Sequence, residues 1–91
     1  MEWIWDERKA EANYRKHRVL FETAVRVFDD DHCVTRPDPH SDDDRLRTIG
    51  MAGLLTLFVV HTVYEDDGSS RIISARLATR SERKLYEALR F

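Results

Sequence analysis

A single cysteine, Cys33, leaves the chain no internal disulfide and no cysteine-based zinc site, which fits a reducing compartment. No apolar run approaches the ~20 residues of a membrane span. The opening MEWIWDERK has no apolar core of the signal-peptide kind, so a cytoplasmic location is expected. A glycine-rich phosphate loop is missing, as is the G-x-S-x-G elbow of a serine hydrolase. Internal repeats and low-complexity linkers are absent too. What is there, 91 residues with 42% hydrophobic content, suits one domain over residues 1–91. A chain this short buries little more than ~60% of its unfolded surface.

The formal net charge of -2 argues against generic electrostatic binding of nucleic acid, but the charge is segregated. Acidic clusters fall at Asp29 to Asp31, Asp42 to Asp44 and Glu65 to Asp67, whereas basic residues crowd 8–18 and 71–90. In the last segment Arg71, Arg76, Arg80, Arg83, Lys84 and Arg90 stand close together. One positive face for a polyanion, with acidic loops elsewhere, is the arrangement this implies.

Along the chain, Trp3 and Trp5 alternate with Glu2 and Ile4 in a short strand, and Asp6 is an N-cap for the helical DERKAEANYRKH. Phe21, Ala24, Val25 and Phe28 recur at i, i+3, i+4 and i+7, which predicts a second short helix. DDDHCVTRPDPHSDDD, with two prolines and seven aspartates, predicts an edge strand around His32 to Arg36 and then a solvated loop. Three strands follow at Arg45 to Met51, Leu54 to Tyr64 and Arg71 to Leu77, joined by Ala52-Gly53 and EDDGSS. Thr79 and Glu82 have capping-box spacing before a closing helix with Leu85 and Leu89 on its apolar edge. The expected fold is α+β: an antiparallel four-strand meander with two N-terminal helices and one C-terminal helix, the helices mainly on one face.

Pairing Met51 near Leu54 and Tyr64 near Arg71 puts Ile49, Phe58, Val60, Thr62, Ile73 and Ala75 on one face, the expected main core. Thr48, Leu57, Val59, His61, Ser74 and Arg76 take the other, so His61 and Arg76 are expected to share a groove, unless the register slips by one residue. On the first helix Lys9, Asn13 and Lys16 follow i, i+4, i+7, with His17 one turn past Asn13. Metal-free cleavage of RNA needs a base for the ribose 2′-hydroxyl, an acid for the leaving oxygen and cations on the phosphate. His, Lys and Arg supply these, and arginine's planar fork grips phosphate oxygens in pairs.

Each residue also has a plainer explanation. His61 fits a hydrogen-bonded histidine beside the core, and His17 fits a helix C-terminal cation favoured by the macrodipole. Arg76, Arg80 and Arg83 fit a solvated face salt-bridged to Glu82 and Glu87. His32, Asp38, His40 and the neighbouring aspartates have metal-ligand chemistry, but their spacing matches neither an EF-hand nor a histidine zinc motif, so no metal or cofactor is expected. Nothing beside Cys33 marks it as an activated nucleophile.

Several blocks together resemble the BrnT family of bacterial ribonuclease toxins. They are Trp5-Asp6-Glu7, Lys9-Ala10, Asn13, Lys16-His17, Val19, Phe21-Glu22 with Ala24, and Val27-Phe28-Asp29-Asp30. Asp44-Arg45, Ile49-Gly50, Val59-Val60-His61-Thr62, Arg71-Ile72-Ile73-Ser74-Ala75-Arg76 and Ala78-Thr79-Arg80-Ser81-Glu82-Arg83 complete the series. The resemblance implies a compact RelE-like fold, RNA cleavage that inhibits growth, and a cognate antitoxin that carries the contact to operator DNA. It also implies Lys9, His17, His61, Arg76 and Arg80 as catalytic candidates, with Arg45 and Arg83 as RNA contacts. Arg18 stands where the family usually has glycine, and Leu46 where it has an aromatic. The competing function from a different class is a non-catalytic module whose basic C-terminal segment docks an acidic partner.

Overall fold

A computed structural model describes residues 2–39, 44–62 and 67–89. The chain forms β1 (Glu2–Ile4), α1 (Glu7–His17), α2 (Phe21–Ala24) running into a 3₁₀ turn (Val25–Asp29), then β2 (Val34–Pro37), β3 (Arg45–Ala52), β4 (Leu55–Thr62), β5 (Ser69–Leu77) and α3 (Arg80–Leu89). One five-stranded sheet runs in the order β1-β5-β4-β3-β2.

The α+β class holds, but the four-strand antiparallel meander with two N-terminal helices does not. The sheet is mixed, because β1 joins it parallel to β5, matching Glu2 with Ser69 and Ile4 with Arg71. The expected second N-terminal helix amounts to four α-helical residues before the chain tightens into the 3₁₀ turn. Thr23, Val25 and Val27 are β-branched and poor at propagating an α-helix. The buried positions are Phe21, Ala24 and Val27, a period of three that matches the 3₁₀ repeat. Val25 and Phe28, the other two members of the expected stripe, are only partly buried.

α1 begins where Asp6 accepts hydrogen bonds from the Arg8 and Lys9 amides at 2.8 and 3.3 Å. It ends at Arg18, whose φ of 60° and ψ of 30° are left-handed, and whose N–H donates to the Tyr14 carbonyl. This is the position that favours glycine. Only a weak stacking of the Arg18 guanidinium over Tyr14, 5.5 Å from the ring centroid, compensates. Arg18→Gly is therefore expected to stabilise the fold by about 0.5–1 kcal/mol, read as a higher urea midpoint at unchanged slope.

The sheet carries helices on both faces rather than mainly on one. Val19, Phe21, Ala24 and Val27 pack with Leu57, Val59, Ile72 and Ala75 in the main core. On the other face Tyr86 of α3 packs with Ile49 and Ala78, flanked by Val34, Met51 and Phe58. β3 and β4 form the expected antiparallel hairpin with the expected parity, but two residues out of the expected register: Met51 lies opposite Thr56 rather than Leu54, Ile49 opposite Phe58 and Thr48 opposite Val59. Gly53, φ 62°, takes the first loop position of this hairpin. The core assignment is inverted, however, since Leu57 and Val59 are fully buried while Phe58 and Val60 are half-buried. β5 is also shifted by one residue, so that Arg76 pairs with Phe58 and Ala75 with Val59. A register shift at Val60/His61 matches those residues with Ser74 and Ile72, leaving Ile73 as the extra residue of a bulge. The expected strand end at Tyr64 and most of the EDDGSS turn lie outside the described residues.

Asp30 locks the second face. Its carboxylate accepts hydrogen bonds from the Met51 and His32 amides and from the Tyr86 hydroxyl, tying the 3₁₀ turn to β3 and α3. Burial alone would raise its pKa, yet the bonds from Tyr86, Met51 and His32 hold it below the usual carboxylate range. Gly50 lets the same turn approach β3, because a Cβ there would meet the Cys33 Cβ at 3.0 Å and Val27 at 3.1 Å.

Candidate functional site

On the α3 side of the sheet the helix covers only one end. β3 and β2 present alternate residues there: Ile49 and Val34 beneath α3, then Arg47 directly opposite Arg36 in the next row. Val60 and Ser74 continue that row across β4 and β5, both half-buried. Among the described residues neither Arg36 nor Arg47 has a carboxylate partner. Like charges set directly opposite each other cost stability unless an anion joins them. A cleft of about 90 Å³ where α3 meets the sheet is lined by Arg36 and Arg47 together with Phe58, Glu82 and Leu85. Neither arginine stands out in the sequence, although the alternations Val34-Thr35-Arg36 and Arg47-Thr48-Ile49 put each on the same face as a hydrophobic residue.

Arg76 lies on this same face at the α3 end. Its guanidinium stacks 4.1 Å from the Phe58 centroid and grips Glu82 with two bonds, 2.7 and 3.0 Å. Glu82 also closes the expected capping box, accepting from the Thr79 amide while its own amide donates to the Thr79 hydroxyl. Burial pushes the Glu82 carboxyl up, but the bonds from Arg76 and Thr79 outweigh it and bring the pKa below the ordinary value. One Nη1 proton of Arg76 also goes to the Leu77 carbonyl, which leaves Nε–H and one Nη2 proton for another acceptor. Arg80 and Arg83 stand exposed in the first turns of α3. Arg45 begins β3 on this face, opposite Thr62. Arg90 lies outside the described residues, as do His40, Asp42 and Asp43 of the aspartate-rich loop.

Lys9 and His17 stand on α1, whose contact with β5 is made by Asn13. They flank Asn13 by one turn on each side along α1, and Asn13 is buried against the strand immediately before Arg76. The Asn13 side-chain amide donates to the Ala75 carbonyl at 2.8 Å and accepts from the Ala75 amide at 3.1 Å. It thus pairs with β5 beyond the point where the short β1 stops. Lys9 is exposed and His17 is half-buried in the last turn of α1.

His61 is not part of this grouping. It faces the main core, 4% exposed, with its ring edge-on to Trp3 and Phe28 at 5.4 and 4.9 Å, whereas Arg76 lies on the opposite face. The expected shared groove therefore does not form; the one-residue shift of β5 separates the pair. Nδ1 of His61 donates to the Thr62 carbonyl at 3.1 Å, so in the neutral ring Nε2 accepts from Thr48 at 2.7 Å, and Thr48 in turn accepts from Thr35 at 2.8 Å. Burial lowers the His61 pKa, opposed by the Thr62 bond. Because the folded value lies below the unfolded one, this stability is complete above pH ~6.5 and is lost as the pH falls toward the folded value. Urea midpoints measured from pH 7.5 to 5 are expected to fall with acid, with a shallower slope in His61→Gln. Burial, with Asp30 and Asp31 nearby, pushes the Cys33 thiol above its ordinary range, which keeps it protonated and unreactive at neutral pH.

No curated protein sequence matches the chain significantly. A solved structure does: the ribonuclease toxin BrnT of Brucella abortus, at 28% identity and a TM-score of 0.70, covering 88% of this chain and 99% of that one. The profile of the ribonuclease toxin BrnT of type II toxin-antitoxin systems matches residues 5–82, from the end of β1 to the capping glutamate of α3. With sequence and fold in agreement over most of its length, the chain belongs to the BrnT family of type II ribonuclease toxins.

Proposed function

We propose that this chain is an endoribonuclease that cleaves RNA without a metal ion, inhibits growth, and is neutralised by a cognate antitoxin that brings the pair to operator DNA. The observation that carries the RNA reading is the Arg36–Arg47 pair, without a carboxylate partner among the described residues, on the sheet face that also holds Arg76 and the start of α3 with Arg80 and Arg83. A polyanion laid across that face neutralises charges that the protein leaves facing one another. Arg45, in the row beyond Arg47, extends the track.

In the proposed reaction the ribose 2′-hydroxyl attacks the adjacent phosphorus, its proton passes to a base, and the leaving 5′-oxygen takes a proton from an acid. Lys9 and His17, held along β5 by Asn13, are the groups assigned to proton transfer. Arg76 and Arg80 are assigned to the charge that builds on the phosphate oxygens. His61 supports the fold instead, since both its ring nitrogens are engaged inside the core. No helix among the described residues is long and apolar enough to cross a membrane.

The test is cleavage of a purified, ribosome-free RNA in EDTA. Persistent cutting, abolished by a 2′-deoxy sugar at the cut position, is the expected result. Loss of cutting in EDTA with recovery on adding a divalent ion would overturn the metal-free mechanism. Intact RNA under all conditions would favour a non-catalytic module.

A further inference from the structure

A second concave surface lies away from the arginine face. α1 and the start of α2 enclose a groove of about 390 Å³, with Glu7, Glu11, Tyr14 and Arg15 along one wall and Leu20 and Glu22 along the other. On α1 these positions fall at i, i+4, i+7 and i+8, a single stripe, and that stripe is not the one Asn13 buries against β5. Tyr14 is 38% and Leu20 46% exposed, so the groove offers apolar area that the fold itself does not use. Three carboxylates line it against Arg15, with Arg18 stacked over Tyr14 at its edge, so its rim carries more negative than positive charge. Such a rim disfavours RNA phosphate and favours cationic side chains.

We propose that this groove receives a basic, amphipathic helix of the cognate antitoxin, its apolar side chains seated between Tyr14 and Leu20 and its Lys or Arg residues paired with Glu7, Glu11 and Glu22. The partner follows from the chain's family and the docking mode from the charge and shape of the groove; the cleavage chemistry proposed above plays no part. The antitoxin then has a hold on the toxin that leaves the arginine face uncovered, and neutralisation requires a second segment reaching that face or a shift of α1 along β5.

Calorimetric titration of the purified toxin with its cognate antitoxin tests this. Glu11→Lys/Glu22→Lys, with native circular dichroism, is expected to raise Kd at least about 100-fold, and wild-type affinity is expected to fall steeply with salt. The isosteric Glu11→Gln/Glu22→Gln is expected to lose about tenfold, which serves if the reversal disturbs α1. RNA cleavage by the free variants should match wild type, because none of these residues belongs to the arginine face. An affinity within about threefold of wild type in both variants overturns the proposal. So does a change confined to self-association of the isolated toxin, since the groove would then hold a second copy. If wild-type toxin cleaves no RNA while the Kd shift appears, the catalytic proposal fails and the docking site stands.

Discussion

Arg76→Ala is expected to lower RNA cleavage by about 10²–10³-fold, the usual loss when one preorganised donor to a developing charge is removed. The same change breaks a two-bond ion pair with Glu82 on a partly exposed surface, a stability loss of about 1–2 kcal/mol. A fall in activity alone therefore does not separate a phosphate ligand from a strut that holds α3. Glu82→Gln makes the separation. It removes the ion pair from the other side, keeps a side chain suited to the capping box with Thr79, and frees the Arg76 fork. If Arg76 binds phosphate, Glu82→Gln should cleave within about threefold of wild type or faster, while Arg76→Ala falls by orders of magnitude. Equal losses in the two variants would reduce Arg76 to a structural role. Arg76→Lys should resemble alanine more than wild type, because a point charge cannot reproduce the fork or the stacking on Phe58. Single-turnover rates beside urea midpoints for the three variants supply both readouts.

Local chemistry accounts for what was legible in the sequence. Asp6 and the Thr79/Glu82 box announce helix starts because their side chains bond amides two or three residues away, and Gly53 announces a hairpin because its loop needs positive φ. The parity of the β3–β4 pairing followed from that turn, while its register came out two residues away. Non-local features left no such mark. β1 pairs with a strand more than sixty residues later, through a parallel contact of three residue pairs. The bulge at Ile73 and the offset of β5 depend on packing against Ile72 and Ala75, and the sequence RIISARL tolerates either parity. That single slip put His61 and Arg76 on one expected face, while the inverted core assignment, which buried the face of Ile49, hid the row that Arg36 and Arg47 form. The period-three burial of Phe21, Ala24 and Val27 was masked likewise, because Val25 and Phe28 complete an equally good α-helical stripe.

Asn13→Leu is expected to be among the most damaging single changes to stability, although it keeps the branched heavy-atom shape of the side chain. The Asn13 amide closes three hydrogen bonds to buried backbone: the Ala75 carbonyl, the Ala75 amide and the Val19 carbonyl, the last at 3.1 Å. Leucine fills the space and leaves all three groups unpaired in a site where β1 no longer reaches and water is excluded. At about 1–3 kcal/mol for each unsatisfied group, partly relieved by relaxation, the expected loss is about 3–5 kcal/mol. A chain of this size has about 5–14 kcal/mol in total, so the variant should retain at most a marginal fold and its Tm should drop by about 15–30 °C. Asn13→Asp keeps the acceptor for the Ala75 amide but loses both donated bonds and sets a carboxylate against two carbonyl oxygens. It should be at least as damaging at neutral pH and recover partly as acid protonates the carboxyl. Thermal denaturation at pH 5 and pH 7.5 distinguishes the two. A loss below about 1 kcal/mol in Asn13→Leu would mean that α1 is held to β5 by the apolar contacts of Ala10 and Phe21 alone. The link that ties the α1 face carrying Lys9 and His17 to β5 would then be dispensable to the fold.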